Sequence, residues 1–221
     1  MRKILAYTLL SIALLIIYGD VAMSFFIDLS KFSISTSVLL FNLLFNFFLM
    51  VGTSFAFVYL YYGKNLLKEL YFRKERAIEA VAIGAGACGI FILIQIAVSI
   101  VMYSYGYREE NPLLKEIAKE MNLFLLFLIP LISSISEETF YRGLIQMHLG
   151  RKIGMFYSVI LTSLLFAIAH LQYHTLLQFL FPFLLSLMLG FLIYKWENIL
   201  APISAHFMYN FINLLFVSYG M

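Results

Sequence analysis

The chain is divided into apolar blocks, each about long enough to cross a lipid bilayer. They run roughly Ile4–Met23, Val38–Tyr62, Ala77–Tyr105, Leu123–Leu149, Met155–Leu171, Leu176–Tyr194 and Ile199–Tyr219. A hydrocarbon core about 30 Å thick needs about 20 helical residues. Inside lipid every backbone N–H and C=O must find a partner within the protein, so open sheet edges are excluded. The strict alternation that a β-barrel requires is absent. The expected fold class is therefore all-α, a polytopic transmembrane helix bundle of about seven membrane spans. Composition agrees, with 63% hydrophobic and 12% charged residues. A soluble domain carries roughly 25% charge and could not hide this much apolar surface.

Basic residues set the orientation. With the N-terminus inside, the cytoplasmic side holds Arg2, Lys3, Lys64, Lys68, Arg73, Lys74, Arg76, Arg151, Lys152 and Lys195. The other side holds Lys31, Arg108, Lys115 and Lys119. Arg142, placed inside the bilayer, completes the 15 basic residues. The net charge of +3 is too small to argue for nucleic acid. Cys88 is the sole cysteine, which excludes an intrachain disulfide. It lies in the run Gly84-Ala85-Gly86-Ala87-Cys88-Gly89, which reads as a close helix–helix packing surface. Met1-Arg2-Lys3 before an apolar run has the start of a signal peptide. No small-x-small cleavage site follows, and Tyr18 and Asp20 stand where one belongs, so the reading is a retained first span. The chain divides at about residue 122: N-terminal helices and a polar connecting segment over 1–122, and a core carrying the intramembrane polar groups over 123–221.

Those polar groups are costly in lipid, and each one needs a reason. The first cluster is Ser136-Glu137-Glu138-Thr139-Phe140-Tyr141-Arg142-Gly143. Glu138 and Arg142 are spaced i,i+4, acid first, and can pair on one helix face. Glu137, about 100° around the helix, is left without a partner in this segment, which suits general acid–base work. Both acids could equally serve to neutralise arginine and join helices. The second cluster is Phe166-Ala167-Ile168-Ala169-His170. Taken alone, a histidine at a span end reads as a polar anchor. His174, four residues further on, reads as solvated. The third is Ala205-His206-Phe207-Met208-Tyr209-Asn210. His206 and Asn210 share a face, extended by Asn213, and could hold a developing oxyanion or make interhelical hydrogen bonds. Counting 1.5 Å per residue from the nearest turns puts Glu137, His170 and His206 roughly 12–24 Å deep, in the middle region of a bilayer.

The ordered set Glu137-Glu138-Thr139-Phe140-Tyr141-Arg142, Phe166 to His170 and His206 to Asn210 resembles the CAAX protease and bacteriocin-processing (CPBP, Abi) intramembrane proteases. These include the type II CAAX prenyl endopeptidases. The resemblance covers about Leu123 to Leu215. It implies that Glu137 and His170 polarise the attacking water and that His206 and Asn210 stabilise the tetrahedral oxyanion. It also implies that Glu138 and Arg142 hold the helix and tune Glu137. It suggests no cofactor. Zinc is the alternative, because two histidines and a glutamate are plausible ligands, although no His-Glu-x-x-His is present.

The expectation is thus an intramembrane endopeptidase in the cell membrane, multi-pass, whose partners are the bilayer and a peptide or lipidated protein substrate. Bacteriocin or signal-peptide maturation, self-immunity and CAAX-type processing are its candidate tasks. Two other classes stand beside it. One is a non-catalytic immunity or scaffold protein on the same fold. The other is a proton-coupled transporter, against which the lack of an internal repeat counts.

Overall fold

The computed structural model describes residues 1–26, 35–63, 65–107, 112–171 and 175–219. Among them there are helices and no strands. Helix α1 is Arg2–Ser24, α2 Thr36–Tyr61, α3 Leu66–Glu69, α4 Ala77–Ser104 and α5 Pro112–Lys119. Then come α6, Leu123–Glu137, a π-helical segment over Glu138–Gln146, and α7, Met147–Ile153. The last three are α8 Met155–Ile168, α9 Leu177–Trp196 and α10 Leu200–Ser218. Lys31, Lys64, Arg108, His174 and the side chain of Lys115 lie outside the described residues.

Six helices are long and apolar enough to cross a membrane, and Leu123–Ile153 forms one of them, with 31 residues. The remaining expected span is shorter. Helix α8 has 14 residues, roughly 21 Å, which is less than a full hydrocarbon core. The outward faces are apolar: Ile4, Leu15, Phe41, Phe48, Ile78, Ile90, Leu93 and Ile100 are all exposed. In water such a surface would be an aggregation liability, and in lipid it is the matching solvent. The protein is a multi-pass membrane protein.

Local chemistry explains the helix ends and interruptions. Asn122 caps α6 by accepting from the Leu125 N–H at 2.9 Å. Pro130 sits inside α6 and removes a donor there. The hydroxyls of Ser133, Ser134 and Ser136 donate to carbonyls three or four residues back, which keeps polar atoms paired along an apolar helix. Gly154, with φ +86°, makes a one-residue reversal between α7 and α8, a conformation that glycine adopts without strain.

Two apolar clusters hold the bundle together. Phe57, Phe140, Tyr141, Leu144 and Phe166 join α2, the π segment and α8. Cys88, Phe91, Leu185, Leu189, Ala201 and Ala205 join α4, α9 and α10. The small-residue run of α4 does pack closely, but selectively. A Cβ on Gly84 would lie 2.1 Å from the Ala201 carbonyl oxygen, whereas Gly86 and Gly89 face open space. Cys88 is fully buried in that contact.

Several of the basic residues expected on the cytoplasmic side gather at one end. Lys3 and Lys152 both lie over the Tyr61 ring, Arg151 pairs with Glu69 at 2.8 Å and Arg73 pairs with Glu197 at 3.3 Å. His148, which no sequence motif singled out, anchors this end. Its Nε2 and Nδ1 lie 2.9 Å and 2.7 Å from the hydroxyls of Tyr7 and Tyr62, so it ties α7 to α1 and to the end of α2. At the opposite end Glu120 accepts from both the N–H and the hydroxyl of Thr36, capping α2.

Candidate active site

The two adjacent glutamates lie where α6 gives way to the π segment. A π turn holds an extra residue and commonly marks functional positions. Glu138 turns into the bundle and is fully buried, while Glu137 keeps 20% exposure toward open space. Arg142 is also fully buried, and its Nε lies 3.1 Å from Glu138 Oε2. That contact is electrostatic and misses hydrogen-bond alignment, since neither atom has a hydrogen-bond partner among the described residues. Arg142 is held by other means: Nη2 donates to Ser186 Oγ at 2.8 Å, and its guanidinium lies 4.4 Å over the Phe166 ring. A buried cation on an aromatic face gains from the ring quadrupole.

Glu138 has a second partner. Its Oε1 lies 2.7 Å from His206 Nδ1 on α10. A carboxylate only accepts, so Nδ1 is the protonated nitrogen in this contact. His206 Nε2 is thereby aimed at Glu137, 3.9 Å from its Oε2. Such carboxylate–imidazole contacts fix both ring orientation and tautomer.

His170 sits two residues past the end of α8. Its Nδ1 lies 2.8 Å from the Phe166 carbonyl, and since a carbonyl only accepts, Nδ1 carries the proton. Nε2 is then the nitrogen able to take one. The Phe166 ring packs against both histidines, with centroids 4.6 Å from His170 and 5.7 Å from His206. Asn210 sits one turn beyond His206, and its Nδ2 lies 3.4 Å from Ser133 Oγ. Asn213 is engaged elsewhere: it donates to the Tyr209 carbonyl at 2.7 Å and accepts from Gln95 at 3.2 Å.

These residues line two adjoining cavities. One, of about 290 Å³, is bordered by Glu137, His170, His206 and Asn210 together with apolar side chains of α9. The other, of about 410 Å³, lies toward α1 and α2 and shares Ser133, Glu137 and His170 with the first. Glu137 ends α6, roughly 21 Å from Leu123 and 24 Å from Ile153, so the constellation sits near the middle of the longest helix. His148 lies roughly 15 Å further along that helix and is separate from it.

Glu138 is engaged by Arg142 and His206, and the Arg142 cation stands beside it. Among the described residues no three His, Cys, Asp or Glu side chains form a group that could hold a metal ion.

A carboxylate and two imidazoles thus border one cavity in a multi-pass helical bundle. Residues 119–212 match the family model described as type II CAAX prenyl endopeptidase Rce1-like. That match, on somewhat under half of the chain, supports the CPBP and CAAX protease family and, in general terms, an intramembrane CAAX-type protease. No curated protein and no solved structure shows significant similarity to the chain.

Proposed function

We propose that this protein is a glutamate-dependent, metal-free intramembrane endopeptidase of the cell membrane, acting on hydrophobic or lipidated membrane-associated peptides. The observation that carries the reading is the 3.9 Å gap between Glu137 Oε2 and His206 Nε2. That gap is too long for a direct hydrogen bond, and one water can bridge it. Glu137 takes a proton from the attacking water, and His170 Nε2 helps to align the same water. The new C–O bond forms as the carbonyl oxygen becomes an oxyanion. Asn210 Nδ2–H donates to that oxyanion, and so does His206 from Nε2 when it carries both protons. The intermediate then collapses, the C–N bond breaks, and the leaving amine takes the proton from Glu137. Glu138 and Arg142 position His206 and Glu137 without touching the substrate. The role of bilayer depth is to exclude bulk water and strengthen these contacts.

The reading is tested by reconstituting the protein in proteoliposomes with a library of hydrophobic and prenylated peptides and following cleavage by mass spectrometry. Cleavage by the wild type that disappears in Glu137→Gln supports it. Equal cleavage by both would overturn the assignment of Glu137.

A further inference from the structure

A third cavity, of about 390 Å³, lies between α4 and α10. Its rim carries Ile96, Ile100, Tyr103 and Phe216, all exposed on the outward surface. Gln95 and Asn213 line it, and the same two residues line the cavity bordered by Glu137, His206 and Asn210. The Gln95–Asn213 contact is thus the partition between a groove open to the membrane and the candidate active site. Gln95 Nε2 donates to Asn213 Oδ1 at 3.2 Å, and the same amide stands beside the Tyr209 hydroxyl. Interhelical hydrogen bonding accounts for that nitrogen. It does not account for the oxygen. Gln95 Oε1 is buried and has no hydrogen-bond partner among the described residues. Leaving a buried acceptor unpaired is costly, and such an atom marks a missing donor or a functional role. Glutamine inside a 28-residue helix able to cross the bilayer calls for the same explanation.

We infer that this groove is where a membrane-borne peptide enters the site, one of its main-chain N–H groups donating to Gln95 Oε1 and a neighbouring apolar side chain filling the groove. This rests on the peptidase reading and deepens it by naming the state of the substrate. In the interior of a helix every N–H is already bonded within the helix. The donor that Gln95 requires therefore belongs to an extended, unwound segment. A segment laid across the Gln95–Asn213 partition runs from the lipid side to the cavity of Glu137. A lipid acyl chain would fit the apolar rim but brings no donor to Oε1.

The test uses the full chain in nanodiscs and short fluorescent peptides of leucine and alanine. Each peptide has one backbone amide replaced by an ester, which deletes a single N–H donor. Binding is read in a Glu137→Gln background, so that no peptide is consumed. One ester position should weaken binding about three- to tenfold, the usual worth of one hydrogen bond. That penalty should vanish when Gln95→Leu is added and persist with Gln95→Glu, which keeps an acceptor. Each penalty is a ratio within one variant, so a general loss of folded protein cancels. A photocrosslinker placed at Ile100, on the exposed rim, should capture the peptide. Ester penalties that are the same with and without Gln95, or a crosslinker that captures only lipid at saturating peptide, overturn the inference. Cleavage by the unsubstituted protein separates the two readings. A Gln95-dependent ester penalty with no peptide ever cut supports the groove and sinks the peptidase. Cleavage with ester penalties that ignore Gln95 does the reverse.

Discussion

The His206 imidazole and the Glu138 carboxylate meet at 2.7 Å across the bundle interior, from positions 68 residues apart. This contact joins α10 to the junction of α6 and the π segment. It decides which imidazole nitrogen faces Glu137, so Glu138 acts on the site through His206 as well as through Arg142.

Replacing Glu137 by glutamine keeps the side-chain size and removes the base. The chemical step should fall by about 10²–10⁴-fold. Peptide binding should persist, because the loss is confined to the transition state. Single-turnover cleavage together with equilibrium binding checks this. A variant that cleaves at the wild-type rate would remove Glu137 from the mechanism.

His206→Ala and Asn210→Ala should each lower kcat by about 10²–10³-fold, the usual loss for one oxyanion donor. The two should differ in stability. His206→Ala also strips Glu138 of its 2.7 Å partner and should melt lower, whereas Asn210→Ala loses only a 3.4 Å contact to Ser133. Thermal melts in nanodiscs read the difference, and a lower melt for Asn210→Ala would contradict it.

Arg142→Ala leaves a fully buried carboxylate facing its lost cation. Breaking a buried pair from one side costs about 3–5 kcal/mol. The folded yield and melting temperature should both drop. The double variant Glu138→Gln with Arg142→Met should recover part of that loss, because it removes the stranded charge. Normal stability of Arg142→Ala would show that the pair does not support the fold.

Gly84→Ala should disrupt the bundle, because its Cβ would overlap the Ala201 carbonyl oxygen and the Ser204 hydroxyl at 2.1 Å. Backbone cannot yield there as a flexible side chain would. Gly86→Ala, in open space on the same helix, should be neutral or slightly stabilising, since alanine favours helix by about 1 kcal/mol. Parallel melts of the two variants check this pairing, and similar behaviour of both would contradict it.

Purified protein should carry no stoichiometric zinc, and chelators should leave cleavage unchanged. The reason is that Glu138 already binds Arg142 and His206, and a neighbouring guanidinium opposes a dication. Elemental analysis showing one tightly held zinc per chain, with activity lost on its removal, would overturn this.

Hydropathy alone made the helical bundle legible, because lipid leaves the backbone no other solution. The Glu138–Arg142 proximity was legible too, from their spacing. What sequence spacing could not reveal is the π segment beginning at Glu138, since an extra residue per turn leaves no mark in composition. It could not reveal the His206–Glu138 contact either, which depends on how α10 docks. Gly84 and Gly86 look alike in sequence, and only the neighbouring helix distinguishes them. His148 gave no motif signal because its partners, Tyr7 and Tyr62, lie far from it in the chain.

Helix α8 ends after 14 residues, and this brevity has a mechanical consequence. A helix of roughly 21 Å cannot match a 30 Å hydrocarbon slab. Its last carbonyls are carried by the protein, the Leu165 carbonyl accepting from Tyr18 at 3.0 Å and the Phe166 carbonyl from His170 at 2.8 Å, and adjoining lipid meets so short a helix by thinning or tilting. The bilayer thereby becomes an elastic load on the site. Thin membranes of short acyl chains relieve that load, thick sterol-rich ones increase it, and turnover should track membrane thickness even when the peptide and every side chain stay the same.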